Sequence, residues 1–164
     1  PIVITELMYH PVNADAEFIE LYNMGTSSVL LQDLETGASW KMTAGIEFTF
    51  PAATTMAAGT YMLLVKDATL FAATYPGVPG NVPIHQWTSG SLSNGGERVE
   101  LAMPGDVDDL SVRQYIRVDR VNYDDTAPWP IEADGGGSAL HRIDADAYGN
   151  DVANWQPALP TPGE

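Results

Sequence analysis

The sequence contains no cysteine among its 164 residues. A chain without thiols cannot form a disulfide framework, use a thiolate as a nucleophile or hold zinc through cysteine ligands. The absence does not identify the compartment, because exported domains also occur without cysteine.

Basic residues are few: seven Lys and Arg face 22 Asp and Glu, for a formal net charge of −15 at pH 7. Nucleic-acid affinity depends largely on Lys and Arg contacts that release counterions from phosphates. The charge balance therefore argues against DNA or RNA as a partner, and it suits an extracellular, saline or calcium-rich setting.

Long hydrophobic runs are also missing. No stretch approaches the roughly 20 apolar residues that a membrane span needs, and no charged region followed by an apolar signal segment opens the chain. Because the chain begins at Pro1, we expect it to be a segment of a longer protein.

Short apolar runs separated by turn residues are abundant. The clearest is GIEFTFP, in which Ile46, Phe48 and Phe50 alternate with Glu47 and Thr49, the period of a half-buried strand. The other strand candidates are IVITELMY, EFIELYN, VLLQDL, TYMLLVK, ERVELAMPG, SVRQYIRVDRVNY and SALHRI. Only DATLFAATYPG predicts a helix, with Asp67 as its N-cap. About nine short strands with turn signals between them predict a single all-β, antiparallel sandwich or barrel with one short helix.

Six ordered segments form a family pattern. They are IVITELMYHP with EFIELYN, FTFPAATTMAAGTYMLLVKD, SGSLSNGGERVELAMPGD, RVNYDDTAPWP, ADGGGSALHRID and NWQPALPTPG. Together they resemble the lamin-tail domain, in the form found in bacterial exported proteins, over nearly the whole chain. The departure is DVDDLSVRQYIRVD, residues 106–119, which resembles an acidic insertion in a shorter connection.

The resemblance implies an immunoglobulin-like antiparallel β-sandwich over residues 1–157, with residues 158–164 beginning an interdomain linker. It implies no chemistry, because bacterial members are typically modules of large exported or surface proteins. We therefore expect a non-catalytic accessory, adhesion or protein-interaction module, extracellular or at the cell surface. Its expected partners are a protein, a surface polysaccharide or neighbouring domains, and no cofactor is required.

The segment DADAYGND spaces oxygen donors around a glycine, as a flexible Ca²⁺ site requires. The candidate calcium ligands are Asp144, Asp146, Asn150 and Asp151. The match to an EF-hand loop is partial, because Tyr148 holds the fifth place and Trp155 stands where a bidentate Glu belongs. The alternative is a solvated turn whose Asp side chains accept local N–H groups. A calcium-dependent carbohydrate-binding module is the first alternative function.

Glu6, Glu17 and Glu20 are candidates for a carboxylate cluster. In strands, Glu6 shares a face with Ile4 and Glu20 with Phe18, and a carboxylate on an apolar face is costly unless it is paired or hydrogen-bonded. If the two strands are neighbours, the groups could approach one another and raise a pKa or hold a cation. The alternative is that they pair with an arginine or protect an edge strand from aggregation.

The tryptophans allow two interpretations. If exposed, Trp87 and Trp129 are candidate ligand contacts that would stack on sugars; if buried, they cap the core, which is commoner for so large an apolar side chain. Trp155 is expected to close one end of the core.

No catalytic motif is present. His10, His85 and His141 are scattered without an HExxH pattern, and SGSLSNGG lacks the GxSxG elbow. We therefore expect no enzyme. The second alternative, a metal-assisted hydrolase, would be favoured by a cleft that holds a His and two carboxylates within mutual reach.

Overall fold

The computed structural model describes residues 1–164 and contains twelve strands, one α-helix and two 3-10 turns. The strands are β1 (Ile2–Met8), β2 (Phe18–Asn23), β3 (Val29–Leu30), β4 (Lys41–Ala44), β5 (Phe48–Thr49), β6 (Thr55–Met56), β7 (Tyr61–Val65), β8 (Ile84–Gln86), β9 (Glu97–Val107), β10 (Arg113–Tyr123), β11 (Ala139–Arg142) and β12 (Trp155–Ala158). The helix α1 is Ala68–Thr74, and the 3-10 turns are Ile131–Ala133 and Val152–Asn154. No helix has the length and apolar character needed to cross a membrane.

The strands form two large sheets and one small one. The six-stranded sheet has the order β12-β11-β1-β2-β7-β8, antiparallel except between β7 and β8, and the four-stranded sheet has the order β10-β9-β4-β5. The third sheet pairs β3 with β6. One cluster of 25 buried residues takes side chains from both large sheets, as the core of a β-sandwich does. The predicted all-β, immunoglobulin-like sandwich is confirmed.

Both faces of the six-stranded sheet are covered. Ile19 and Leu64 point into the main core, whereas their neighbours Phe18, Leu63 and Val65 belong to a second cluster on the opposite face. Successive side chains of a strand point to opposite faces, so a strand that is covered on both faces has few polar positions. This explains the near-continuous apolar runs of β1, β2 and β7.

Helix α1 covers the opposite face. The side chain of Asp67 accepts hydrogen bonds from the N–H groups of Thr69 and Leu70, which confirms the predicted N-cap. Phe71 is fully buried and meets the Phe18 ring edge-on, with 5.6 Å between ring centroids.

The number of strands differs from the prediction of about nine. The period-2 alternation of GIEFTFP is confirmed in its burial, because Ile46, Phe48 and Phe50 are buried while Glu47 and Thr49 are exposed. Four short strands carried no readable signal: β4, β6, β8 and β12. Each has two to four residues, too few to show a period, and each is specified by its partner across the sheet.

The predicted acidic insertion is the far part of the β9–β10 hairpin. Strand β4 pairs with β9 only as far as Ala102, so the hairpin continues beyond it without a third strand. The turn is closed by Asp108, whose Oδ1 accepts the N–H groups of Leu110 and Val112, both at 2.9 Å. This hairpin is the only part of the four-stranded sheet that extends past its neighbours.

The near end of the hairpin depends on a glycine. Gly96 in the Asn-Gly-Gly turn before β9 has φ +91°, and a Cβ there would lie 2.7 Å from the carbonyl oxygen of Tyr123. We predict that Gly96→Ala lowers the free energy of unfolding by about 2–4 kcal/mol, because both the backbone conformation and the contact become strained.

Urea denaturation measures this change, with Gly80→Ala as the control, because a Cβ on Gly80 would meet no atom within 4 Å. The control is expected to stay within about 0.5 kcal/mol of the parent. Equal stabilities for the two variants would show that the Gly96 turn does not limit the hairpin.

Candidate functional site

A row of three ionisable side chains crosses the six-stranded sheet. Glu6 of β1 lies opposite Glu20 of β2 on one side and opposite His141 of β11 on the other. Directly paired residues of neighbouring strands share a face, here the face that carries α1. A bulge between Ile4 and Glu6 puts Glu6 on this face while Ile4 points into the main core, so the predicted shared face of these two residues is wrong. Glu6 and Glu20 are 1% and 2% exposed, so two carboxylates are held inside the protein side by side.

The closing segment of the chain covers these carboxylates. The N–H of Thr161 donates to Oε1 of Glu6 at 3.2 Å, and the N–H of Gly163 donates to Oε2 of Glu20 at 2.7 Å. The hydroxyl of Thr5 donates to the other oxygen of Glu20 at 2.7 Å. Pro162, between the two donors, is buried. The row therefore anchors the Thr-Pro-Gly segment to the sheet.

The packing of residues 158–164 departs from the simple linker that the sequence predicts. Ala158 is the last residue of β12, and Pro162 and Gly163 are buried against the domain. The linker character of the chain beyond this segment stays a prediction.

The pKa values of Glu20 and His141 are both raised, but for different reasons. Burial raises the pKa of Glu20 to about 7, the charge of Glu6 adds to the rise, and the hydrogen bonds from Thr5 and Gly163 oppose it. Burial acts to lower the pKa of His141, but its contact with Glu6 outweighs that effect, so the pKa of His141 is raised. The Nε2 atom of His141 lies 3.3 Å from Oε1 of Glu6, an ion-pair contact without the alignment of a hydrogen bond.

A small cavity of about 240 Å³ borders the row. Its wall includes Thr5, Glu20, Tyr22, Tyr61, His141 and Glu164. A histidine and two carboxylates thus lie side by side in the row, but they are not placed to hold one metal ion, which a metal-assisted hydrolase needs. Both carboxylates, moreover, already accept hydrogen bonds from the protein and are shielded from solvent. The arrangement suits an anchor for a peptide segment better than a base that must reach a substrate.

Glu17 does not join the row, so the predicted cluster of three is wrong for this residue. Its Oε1 accepts from Nζ of Lys66 at 2.8 Å and its Oε2 accepts from the N–H of Leu92 at 2.7 Å. Burial raises the pKa of Glu17, although the hydrogen bonds from Lys66 and Leu92 oppose the rise. Glu17 precedes β2 and serves a different loop.

Asp119 plays the same part on β10, and the sequence did not single it out. Its Oδ2 accepts from the N–H of Ile4 at 2.8 Å and from Nη1 of Arg142 at 2.7 Å. A bulge in β10 between Arg117 and Asp119 turns this carboxylate inward, opposite Leu101. Four carboxylates thus each accept a backbone N–H from a distant segment.

The candidate calcium ligands serve separate local purposes. Asp144 accepts from the N–H of Asp146, and Asp151 caps the 3-10 turn through the N–H of Ala153. Asn150 accepts from the N–H of Asn122 at 2.6 Å. No three His, Cys, Asp or Glu side chains of the chain lie close enough to share a metal ion. This geometry is that of the Asx-rich turn, the alternative interpretation of the loop.

The tryptophans belong to the core. Trp87 and Trp129 are 4% and 9% exposed, so the interpretation of them as sugar-stacking contacts is wrong in this structure. The Nε1–H of Trp87 donates to the carbonyl of Gly90, and that of Trp155 donates to the carbonyl of Gly149 at 2.7 Å. Each indole gains its apolar burial while its single donor is satisfied.

Comparison with known protein families gives a match over most of the chain. The sequence model of the family described as Lamin Tail Domain matches residues 1–124. No curated protein and no solved structure matches the chain.

The raised pKa of Glu20 predicts how stability depends on pH. Between about pH 4.5 and 7 the folded state keeps a proton that the unfolded chain has released, so this contribution to stability is full below pH 4.5 and is lost as the pH rises through 7. The raised pKa of His141 acts in the same direction. We expect the free energy of unfolding to fall from pH 5 to pH 8, by up to about 3 kcal/mol from Glu20.

Urea denaturation at several pH values tests this expectation. Glu20→Gln should reduce the slope and leave the part contributed by other groups with a raised pKa, such as His141, whereas Glu35→Gln, at an exposed position, should keep the whole slope. A slope that is unchanged in Glu20→Gln would contradict the assignment to Glu20.

Because Glu6 and Glu20 hold the Thr-Pro-Gly segment, we expect truncation of this segment to lower the stability of the domain. Removal of residues 161–164 leaves Glu6 and Glu20 without their backbone donors and should lower the free energy of unfolding by about 2–4 kcal/mol. Removal of Glu164 alone keeps both donors and serves as the control. A truncated chain as stable as the control, by thermal denaturation, would show that the segment is not held by the row.

Proposed function

Since the chain belongs to the lamin-tail domain family, we propose that it is a non-catalytic interaction module of a larger exported or cell-surface bacterial protein. We place its protein-binding surface at the tip of the β9–β10 hairpin, defined here as residues 106–116.

The observation that supports this surface is a group of exposed apolar side chains on the extended hairpin. Leu110 is 83% exposed, Val112 54%, Ile116 51% and Val107 48%. Single exposed apolar residues are ordinary, but four of them within one short projecting hairpin indicate an element that a protein partner encloses. The hairpin carries these side chains away from the sandwich, where a partner could enclose them.

The charges around the tip indicate the chemistry of the partner. Asp106 and Asp109 flank the apolar side chains together with one cation, Arg113, while Asp108 is used to close the turn. An apolar recess with Lys or Arg at its rim would complement such a tip, since complementary rim charges favour encounter and orientation. We therefore propose a protein partner of that kind.

The interior supports a binding role without catalysis. The buried carboxylates of Glu6, Glu17 and Glu20, and the partly buried carboxylate of Asp119, all accept hydrogen bonds from within the domain. A group committed to holding the fold is poorly placed to exchange protons with a substrate. The exposed surface is then where function resides, as is common for a fold that serves many roles.

A cross-linking experiment tests the tip. A photoreactive residue in place of Leu110 should form a discrete adduct with one protein of the native cell envelope, because Leu110 would lie inside the interface. Leu34 is equally exposed, at 82%, but lies outside the hairpin, and the same substitution there should form no such adduct.

Competition makes the result specific. Excess unmodified protein should abolish the adduct at position 110, whereas excess Leu110→Asp should not. Adducts of equal yield at positions 34 and 110, or competition by Leu110→Asp as strong as by the parent, would contradict the proposed surface.

A further inference from the structure

The few cations of this chain are unevenly distributed. Lys66 and Arg142 form ion pairs with carboxylates, whereas none of the other five Lys and Arg side chains has a carboxylate oxygen within 4.0 Å. All five lie on the four-stranded sheet: Lys41, Arg98, Arg113, Arg117 and Arg120. In a protein of net charge −15, every Lys and Arg side chain without a carboxylate partner thus lies on one sheet, although the ammonium of Lys41 is 3.9 Å from the centre of the Tyr115 ring.

The strand register puts these side chains on the outer face. Val99, Leu101 and Val121 point into the core, so their neighbours Arg98 and Arg120 point away from it. Lys41 and Arg117 flank Ala102 in one row across three strands. Their Cα atoms are therefore roughly 10 Å apart.

A cleft of about 350 Å³ lies where this face meets the loop of residues 144–150. Arg117 and Arg120 form one wall, and Tyr148 and Asp146 belong to the other. Tyr148 is 61% exposed, and its hydroxyl oxygen accepts from Nη2 of Arg120 at 3.1 Å. The cleft thus combines two arginines that lack a carboxylate with an exposed aromatic ring.

The three arginines that line the cleft differ in their hydrogen-bond and ion-pair partners within the protein. Arg142 at the back of the cleft is neutralised by Asp119. Arg117 makes no such contact and is exposed, and the Nε–H of Arg120 is buried without a hydrogen-bond partner. A buried donor without a partner is uncommon, but it is closed to a ligand, so the donor capacity open to a ligand is that of the exposed Arg117.

We propose that this cleft binds a carboxylate-bearing sugar of an acidic polysaccharide. The planar guanidinium of arginine matches a carboxylate with two parallel hydrogen bonds. The exposed ring of Tyr148 supplies an amphipathic surface beside it, suited to the apolar face of a pyranose. The surface is distinct from the hairpin tip, so this inference stands independently of the protein partner proposed above.

The negative charges around the cleft limit how close together the anionic groups of a ligand can be. Asp144 and Asp146 lie in the same loop as Tyr148, and the body of the protein is strongly acidic. A second anionic group close to the first would be repelled. An acidic sugar separated from the next by a neutral sugar therefore fits better than a continuous polyanion such as single-stranded DNA.

Isothermal titration with an oligosaccharide of alternating glucuronate and N-acetylglucosamine tests the proposal. We expect binding that weakens with salt and is lost when the carboxyl groups are reduced to alcohols. Arg117→Gln and Arg120→Gln should each weaken affinity about tenfold or more. Arg98→Gln removes the same charge from the same face but outside the cleft, and it should change affinity less than about twofold.

Further measurements distinguish this site from a calcium-dependent site, from the hairpin tip and from general polyanion binding. Chelation of Ca²⁺ should leave binding unchanged, and Leu110→Asp should leave it unchanged as well. Thermal denaturation of Arg117→Gln, whose side chain is exposed, checks that the variant is folded. Equal losses for Arg98→Gln and Arg117→Gln, retained binding of the reduced sugar, tighter binding of single-stranded DNA, a requirement for Ca²⁺, or no binding at all would each overturn the proposal.

Discussion

Four carboxylates, of which Glu6, Glu17 and Glu20 are buried and Asp119 is partly buried, hold this sandwich together by accepting backbone N–H groups that are far away in the sequence. Glu6 accepts from Thr161, Glu20 from Gly163, Glu17 from Leu92 and Asp119 from Ile4, across separations of 155, 143, 75 and 115 residues. A buried carboxylate is unfavourable unless it is hydrogen-bonded. Each one therefore requires its distant segment to dock, and together they fix the ends of the chain and the hairpin base against the sheets.

The carboxylates of the interior are all hydrogen-bonded and stabilise the fold. The apolar and basic side chains that still lack partners lie on the surface, where a ligand can reach them. The interior carboxylates keep their partners, and burial raises the pKa of Glu17 and Glu20. The exterior is where unsatisfied groups remain: apolar side chains at the hairpin tip and unpaired arginines beside the loop of residues 144–150. Membership in the lamin-tail family fits this division, because the fold supplies a scaffold and the surface supplies the recognition.

The sequence predicted local features better than distant ones. Alternation located β5, apolar runs located β1, β2 and β7, and Asp67 located α1, because each signal is complete within a few residues. Glu6 and Glu20 were also identifiable, since a carboxylate on an apolar strand face demands a partner. Their partners could not be read, because a backbone N–H leaves no mark in the sequence and lies about 150 residues away. For the same reason His141 was not connected to Glu6. Burial of Trp87 was the commoner of two interpretations, but its local sequence did not decide between them.

Hydrogen exchange of single backbone amides tests the central claim most directly. If Glu20 and Glu6 hold the closing segment, the amides of Gly163 and Thr161 should exchange slowly, far below the rate of an unstructured terminus. In Glu20→Ala, protection at Gly163 should collapse while the amides of the core strands stay protected. Rapid exchange at Gly163 in the parent protein, or unchanged protection in Glu20→Ala, would contradict the account.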